Sequence, residues 1–214
     1  NRGMATERSE TTRLEAFSDG VFAIAITLLV LDIKVPPAPD GVPTADALPL
    51  GVALRHLWPS YLGFLMSFAV IGIMWANHHN VFRLVQRSNP VFVGLNTLLL
   101  LCVSFLPFPT AVLAEYLRVP GERTTAALVY GGTLTVTAVA FNALWLYASR
   151  WGALLRADVD AEKVRTITRR FAPGAPLYLT ATLLALWSVT ASLAMHGALA
   201  MLYLLPERRG GSGL

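Results

Sequence analysis

The chain carries few charged residues for its length. Only 14% of its 214 residues are Asp, Glu, Lys or Arg, whereas soluble domains usually carry about 25%. More than half of the residues, 55%, are hydrophobic, and the mean hydropathy is +0.55. This composition excludes an ordinary soluble domain and predicts an all-α, polytopic membrane protein.

Cysteine and the signatures of common enzymes are also scarce. Cys102 is the single cysteine, so no disulfide can form within the chain. The sequence has no G-x-S-x-G, Walker A or H-E-x-x-H motif, so we expect neither an enzyme nor a cofactor. The formal net charge is +4, but the basic residues lie between apolar segments and not on one soluble face. We therefore expect no nucleic-acid partner.

Long apolar segments divide the chain into membrane spans. A helix needs roughly 20 mostly apolar residues to cross a bilayer. Four segments reach this length, at about residues 13–34, 59–85, 91–116 and 123–151. Pro107 and Pro109 predict a kink in the third of them. A short interfacial helix is predicted at 50–58, because His56 and Trp58 suit the headgroup level.

The last apolar segment, 173–206, is too long for one crossing. At about 1.5 Å per residue a single helix would be roughly 50 Å long, while the hydrocarbon core is only about 30 Å thick. We predict two short helices, with a break either at 188–192 or at His196-Gly197, which makes six spans in all. The charged segment before them, 152–171, predicts a cytosolic amphipathic helix. Gly131-Gly132, within the fourth span, predicts close helix packing.

The positions of Lys and Arg predict the orientation. With the N-terminus inside, the 17 basic residues divide into 13 on the inner side and 4 on the outer side. Both termini are therefore expected in the cytosol. The predicted organisation is a cytosolic N-terminal segment at 1–12, a six-helix transmembrane domain at 13–207 and a C-terminal tail at 208–214. Frequent Ala, Arg and Gly favour a bacterial source, and hence a bacterial cell membrane.

The first span begins with polar residues and continues as an apolar helix. Ionisable groups near a bilayer cost desolvation free energy, so they usually have a structural or functional role. The polar cluster and its aromatic neighbour are Arg13, Phe17, Ser18 and Asp19. Farther along, one helical face carries Ile24, Thr27, Leu28 and Leu31. That face either packs against helices or lipid, or lines a pore in which apolar rings form a gate and a hydroxyl replaces part of an ion's water shell. The spacing alone leaves both interpretations open.

Asp19 needs a partner if it is to lie near the membrane. One alternative is a local role at a helix start, as a cap or as a carboxylate that favours the first turn. The other is a buried network with Trp75, Asn77 and His78 at the inner end of the second span, in which Asn77 or His78 bonds Asp19 or Ser18. No metal site is expected, because adjacent histidines point about 100° apart on a helix.

The first-span pattern R-x-x-x-F-S-D, from Arg13 to Asp19, resembles that of the transmembrane-protein-175 family of potassium channels, in its prokaryotic branch. The run that follows, up to Thr27, continues the family pattern, and Trp75-Ala76-Asn77-His78 resembles the family's second-helix motif. The resemblance implies a homotetramer in the lipid bilayer, with four first helices around a central pore. It also implies permeation of potassium ions without a carbonyl filter.

The resemblance assigns roles to the residues of the first helix. It implies that Ile24 forms the narrow apolar ring, that Leu28 and Leu31 form further rings, and that Thr27 supplies the hydroxyl layer. The polar cluster at the start of the helix becomes a structural and assembly element near the cytosolic entrance. The sequence thus predicts a potassium-permeable leak channel. Two alternatives are a proton-coupled or metal-ion transporter that uses Asp19 and His78, and a membrane protein that transports nothing.

Overall fold

The computed structural model describes residues 2–37, 48–152 and 154–204, and these ranges are mostly helical. We number the helices in chain order: α1 (Arg2–Leu28), α2 (Leu50–His56), α3 (Trp58–Phe82), α4 (Pro90–Phe105), α5 (Pro107–Tyr116), α6 (Arg123–Leu146), α7 (Ala161–Phe171), α8 (Gly174–Leu183) and α9 (Val189–Leu204). A 3₁₀ turn, Leu29–Asp32, extends α1, and a π-helical turn, Tyr147–Trp151, extends α6. No β-strand occurs within these ranges, where only an isolated bridge joins Val85 to Leu155.

Four helical segments are long and apolar enough to cross a membrane. They are Glu10–Asp32, Trp58–Phe82, Pro90–Tyr116 and Arg123–Trp151. These segments confirm the four long spans predicted from the sequence and the all-α membrane class. The predicted short helix before the second span is also present, as α2.

The third span is divided where the prolines predict a kink. α4 ends at Phe105 and α5 begins at Pro107. A proline lacks the N–H that would continue the helical ladder, and its ring clashes with the preceding turn. At the start of the same span, the Asn89 side chain caps α4 by accepting a hydrogen bond from the Phe92 N–H at 2.9 Å.

The last apolar segment folds as a helical hairpin. α8 ends in a 3₁₀ turn, Leu184–Leu186, and α9 begins at Val189. The break therefore lies at 184–188 and meets the first predicted candidate only at Ser188, whose Oγ accepts from the Ala191 N–H at 3.2 Å. The other predicted break, at His196-Gly197, is wrong, because α9 is continuous there. The hairpin returns to its start, where the Tyr203 hydroxyl donates to the Arg170 carbonyl at 3.4 Å.

Two predicted helix boundaries need correction. The charged segment at 152–171 is helical only from Ala161, after Asp160 accepts a hydrogen bond from the Glu162 N–H. The residues before it instead extend along the segment that follows α3, where the Leu154 carbonyl accepts from the Gln86 N–H at 2.8 Å. The first helix begins at Arg2, well before the predicted start at Arg13.

The core lies between the spans, with α6 at its centre. α6 packs against α4, α5 and α8, whereas α1 packs against α3 and α4. Three hydroxyl groups within the core pair with one another: Ser67 hydrogen-bonds to Thr110 at 2.7 Å and to the Tyr130 hydroxyl at 3.2 Å. Pairing of this kind is required where no water can satisfy a buried hydroxyl.

The two neighbouring glycines of α6 differ in their surroundings. A Cβ at residue 131 would lie 2.6 Å from Thr182 Oγ1 and 3.0 Å from His196 Cε1, whereas a Cβ at residue 132 would meet nothing within 4 Å. Thr182 is held in place by hydrogen bonds to the Tyr178 carbonyl and to Thr135. Gly131 therefore confirms the predicted close helix packing, while Gly132 makes no such contact.

This difference generates a matched pair of variants. Gly131→Ala should destabilise the protein by about 1–3 kcal/mol, because α8 and α9 must shift to admit the methyl group. Gly132→Ala should stabilise it by about 0.5–1 kcal/mol, because alanine gives the unfolded chain fewer backbone conformations than glycine does. Thermal melting of both purified proteins in detergent measures the difference. A G131A protein that melts as high as G132A would contradict the packing described here.

Candidate functional site

The first helix has one face buried within the subunit and one face exposed. The buried face carries Ser18, Phe22, Ala25 and Leu29, each at most 2% exposed. The exposed face carries Phe17, Ile24, Thr27, Leu28 and Leu31, with Ile24 at 60% and Leu31 at 71%. The four residues predicted to line a pore thus share a surface that no described part of the chain covers.

A chain of hydrogen bonds fixes the buried face. The Ser18 hydroxyl donates to the Leu14 carbonyl at 2.8 Å and accepts from Asn96 Nδ2 at 2.9 Å. Asn96 Oδ1 in turn accepts from His78 Nε2 at 2.8 Å. All three side chains are completely buried. The network joins α1 to α4 and α3, so it sets both the depth and the rotation of the first helix.

The His78 ring is enclosed by aromatic side chains. It stacks on Phe82 with ring centroids 4.3 Å apart and lies 5.3 Å from Phe22 on α1. Because Asn96 Oδ1 can only accept, His78 Nε2 carries the proton in this contact. Nδ1 is buried and has no hydrogen-bond partner among the described residues. The ring therefore fills space between α1 and α3 as well as extending the network.

Asp19 pairs with the second span through Trp75. Trp75 Nε1 donates to Asp19 Oδ1 at 2.9 Å. One turn earlier, Glu15 Oε1 lies 2.9 Å from His79 Nδ1, and the His79 ring stacks on Trp75. Two polar contacts thus join α1 to α3 beside the hydrogen-bond network. Asp19 lies in the middle of a continuous helix, so the alternative that it caps a helix start is wrong.

The predicted network is present, but its members differ from those expected. Asp19 bonds Trp75 and Ser18 bonds Asn96, so the expectation that Asn77 or His78 bonds Asp19 or Ser18 directly is wrong. Asn77 faces away, toward a cavity beside α6 and α8. The amide at the centre, Asn96, was missed by sequence reasoning. Its signal was a lone amide within the apolar run of the third span.

The remaining residues of the polar cluster do not join this network. Arg13 is exposed, and Phe17 is 63% exposed beside the buried Ser18. Just beyond the C-terminal end of this helix, Lys34 Nζ lies 3.7 Å from Glu115 Oε2 on α5, as an exposed ion pair. Within the described ranges, no group of three or more His, Cys, Asp or Glu side chains converges on a point that would hold a metal ion.

The Thr27 hydroxyl has a defined orientation on the exposed face. It donates to the Ile24 carbonyl at 2.9 Å, one turn earlier on the same helix. Since its hydrogen is used in this bond, the oxygen lone pairs are left for an outside donor or a cation. The face therefore offers one hydroxyl oxygen between apolar side chains.

Known proteins are similar to this chain in sequence and in fold. The family model described as endosomal/lysosomal potassium channel TMEM175 matches residues 13–107. The chain is 49% identical to potassium channel Cha6605_3372 of Chamaesiphon minutus over 201 residues, which cover 94% of this chain and 97% of that protein. The chain belongs to the TMEM175 family. The matched residues include α1, α3 and α4, the three helices that the hydrogen-bond network joins.

Two further relatives agree with this membership. Potassium channel B446_29190 of Streptomyces collinus is 49% identical over 197 residues, covering 91% of this chain and 92% of its own. The crystal structure of a lysosomal potassium-selective channel TMEM175 homolog from Chamaesiphon minutus has a TM-score of 0.80 at 48% identity. It covers 91% of this chain and 96% of that one. The TMEM175 fold thus extends over nearly the whole chain, including the α8–α9 hairpin.

The Asn96 network generates a stability prediction. Asn96→Leu keeps the approximate volume but leaves the His78 Nε2–H without an acceptor and removes the bond that Ser18 accepts, while the Ser18 hydroxyl still donates to the Leu14 carbonyl. A buried unsatisfied donor costs about 1–3 kcal/mol, so the melting temperature of the purified protein should fall. The matched control is Thr97→Val, because Thr97 is exposed and its hydroxyl bonds only the Val93 carbonyl of its own helix. Equal melting of N96L and T97V would show that the network does not hold the first helix.

Proposed function

We propose that this chain forms a homotetrameric, potassium-permeable leak channel with a hydrophobic constriction in place of a carbonyl filter. The proposal rests on the two faces of α1: buried hydrogen bonds hold one face against the rest of the subunit, and the other face is exposed. A helix packed only against lipid needs no fixed rotation, whereas a pore helix must present the same residues in every subunit. The names of the two bacterial relatives and of the homologous structure support potassium as the ion.

The proposed pore consists of rings supplied by four copies of α1. Ile24 forms the narrow apolar ring near the cytosolic side, and Leu28 and Leu31 form further rings toward the outside. Apolar constrictions gate by losing their water. Thr27 lies between these rings, where its lone pairs offer partial hydration to a dehydrated cation. Conduction then needs a wider state of the same rings.

The proposed membrane topology has six crossings and cytosolic termini. The hairpin of α8 and α9 supports an even number of crossings, because Tyr203 returns to the level of Arg170. The asymmetry of Lys and Arg supports the orientation. The bacterial relatives support a bacterial cell membrane as the location. The organisation that follows is a cytosolic segment at 1–12, the channel domain at 13–207 and a tail at 208–214, of which 205–214 lie outside the described residues.

The transporter alternative is less well supported by the geometry. A proton-coupled mechanism needs Asp19 and His78 to face a common path. Instead, Asp19 accepts from Trp75, while His78 is enclosed between Phe22 and Phe82 and bonds Asn96. Both residues serve to hold α1 in the structure. The remaining residues of the entrance, Arg13 and the aromatic Phe17 with Ser18, are proposed to act in structure and assembly.

The position of the constriction can be tested at Ile24. Ile24→Asn should wet the narrow ring and raise potassium flux from purified protein in liposomes under a potassium gradient. Val30→Asn is the matched control, because Val30 is similarly exposed, at 52%, but lies on a different side of the helix. Unchanged flux in I24N, or an equal rise in V30N, would exclude Ile24 as the constriction. Flux that requires a proton gradient would favour the transporter, and silence of well-folded oligomers would exclude transport.

The role of the Thr27 hydroxyl can be tested by two substitutions of similar size. Thr27→Val removes the oxygen and should lower the ratio of potassium to sodium flux toward one. Thr27→Ser retains the oxygen and should preserve the ratio. Because the hydroxyl bonds only its own helix backbone, neither change should alter the melting temperature by much. A ratio unaffected by T27V would show that the hydroxyl ring does not contribute to ion preference.

A further inference from the structure

A polar cleft lies at the inner end of the helix bundle, remote from the exposed face of α1. It occupies about 810 Å³ between the C-terminal part of α3 and one face of α7. α3 contributes Asn77, Asn80 and Arg83, whereas α7 contributes Lys163 and Thr166. Residues three and four apart on a helix share a face, so each helix presents a row of polar side chains to the same space.

Two of the three carboxylates that line this cleft already accept hydrogen bonds within the protein. Asp158 accepts two hydrogen bonds from the Arg156 guanidinium, at 3.0 and 2.9 Å. These bonds lower the pKa of the Asp158 carboxyl below its ordinary value, so it stays ionised and paired at neutral pH. Asp160 accepts from the Glu162 N–H where α7 begins. Glu162 is the one lining carboxylate that has no such contact within the described ranges.

Four other donor groups of the cleft differ from Arg156 in this respect. Asn77, Asn80, Arg83 and Lys163 form no side-chain hydrogen bond and no close ion pair within the described ranges, although Lys163 attracts Asp158 at longer range. The lining holds four cations, Arg83, Arg156, Lys163 and Arg170, against three carboxylates, Asp158, Asp160 and Glu162, so its net charge is positive and two carboxamides add further donors. The balance favours an anion with several acceptor oxygens, such as a phosphate group.

An apolar pocket adjoins the cleft and extends into the bundle. It has a volume of about 50 Å³ and is lined mainly by Val70, Met74, Ala138, Phe141 and Tyr178. Asn77 and Phe171 line both the pocket and the cleft, so the two spaces meet at these residues. A ligand that fills both must be anionic at one end and apolar at the other.

We propose that the cleft and the pocket together bind an anionic phospholipid of the inner leaflet. The headgroup phosphate contacts the free donors of α3 and α7, and the first carbons of one acyl chain enter the pocket. The position at the inner ends of spanning helices is the level of the lipid headgroups. Free phosphate shares the headgroup chemistry, but it would leave the apolar pocket unused. This site is independent of the proposed pore.

Binding of short-chain lipids to the detergent-purified protein tests the site. The probes are dioctanoyl phosphatidylglycerol, dioctanoyl phosphatidylcholine and inorganic phosphate, each followed by titration calorimetry. The double variant Arg83→Gln/Lys163→Gln should weaken phosphatidylglycerol binding by about five-fold for each cation removed. The matched control is Arg165→Gln/Arg169→Gln, which removes two exposed cations from α7 that do not line the cleft.

The pocket is tested separately by Ala138→Val, which adds methyl groups to its wall. This variant should weaken phosphatidylglycerol binding without changing the response to phosphate, and its melting curve checks its folding. Equal binding of both lipids by the unchanged protein, or equal losses in the two double variants, would overturn the proposal. Phosphate binding that depends on Arg83 and Lys163, combined with lipid binding unaffected by A138V, would also overturn it in favour of a phosphate site.

Discussion

The buried chain of hydrogen bonds through Ser18, Asn96 and His78 is the constraint on which the arrangement of the first helix depends. Inside a membrane-spanning bundle no water satisfies a hydroxyl, an amide or an imidazole, so each of them must find a protein partner. These three find one another across three helices. Because the bonds are short-range and directional, α1 cannot rotate or slide without leaving a buried polar group unpaired.

These hydrogen bonds give the two sides of α1 different roles. The side that faces the subunit carries the polar bonds and the aromatic contact between Phe22 and His78. The opposite side carries apolar residues and one hydroxyl, and these side chains are exposed instead of packed against the rest of the subunit. A surface for ion passage can therefore be formed from side chains that the fold does not need for its stability. The contact between Trp75 and Asp19 adds a further hydrogen bond between α1 and α3.

The remainder of the chain forms a scaffold around this pair of faces. α6 lies at the centre, and α8 and α9 pack against it as a hairpin. Gly131 of α6 permits the close approach of Thr182 and His196 from that hairpin. The short α7 packs at one end of the bundle, where Trp145 Nε1 donates to Thr168 at 2.9 Å. The space left between α7 and α3 is polar on its walls and apolar beneath. A membrane protein meets such a mixture at the headgroup level, where lipid chemistry changes over a few ångströms.

The sequence by itself determined the membrane class, the four long spans, the division at Pro107 and the common helical face of Ile24, Thr27, Leu28 and Leu31, whose exposure only the structure decided. These features follow from length, hydropathy and helical periodicity, which are local properties of the chain. Only the tertiary structure decided that Asn96 is the centre of the network, that Trp75 is the partner of Asp19, and that the last break lies at 184–188. A hydrogen-bond partner depends on which helices meet and at what depth, and residues 56 or 78 positions apart share no local pattern. For the same reason Asn77, adjacent to His78 in sequence, lies on another side of α3 and faces a different space.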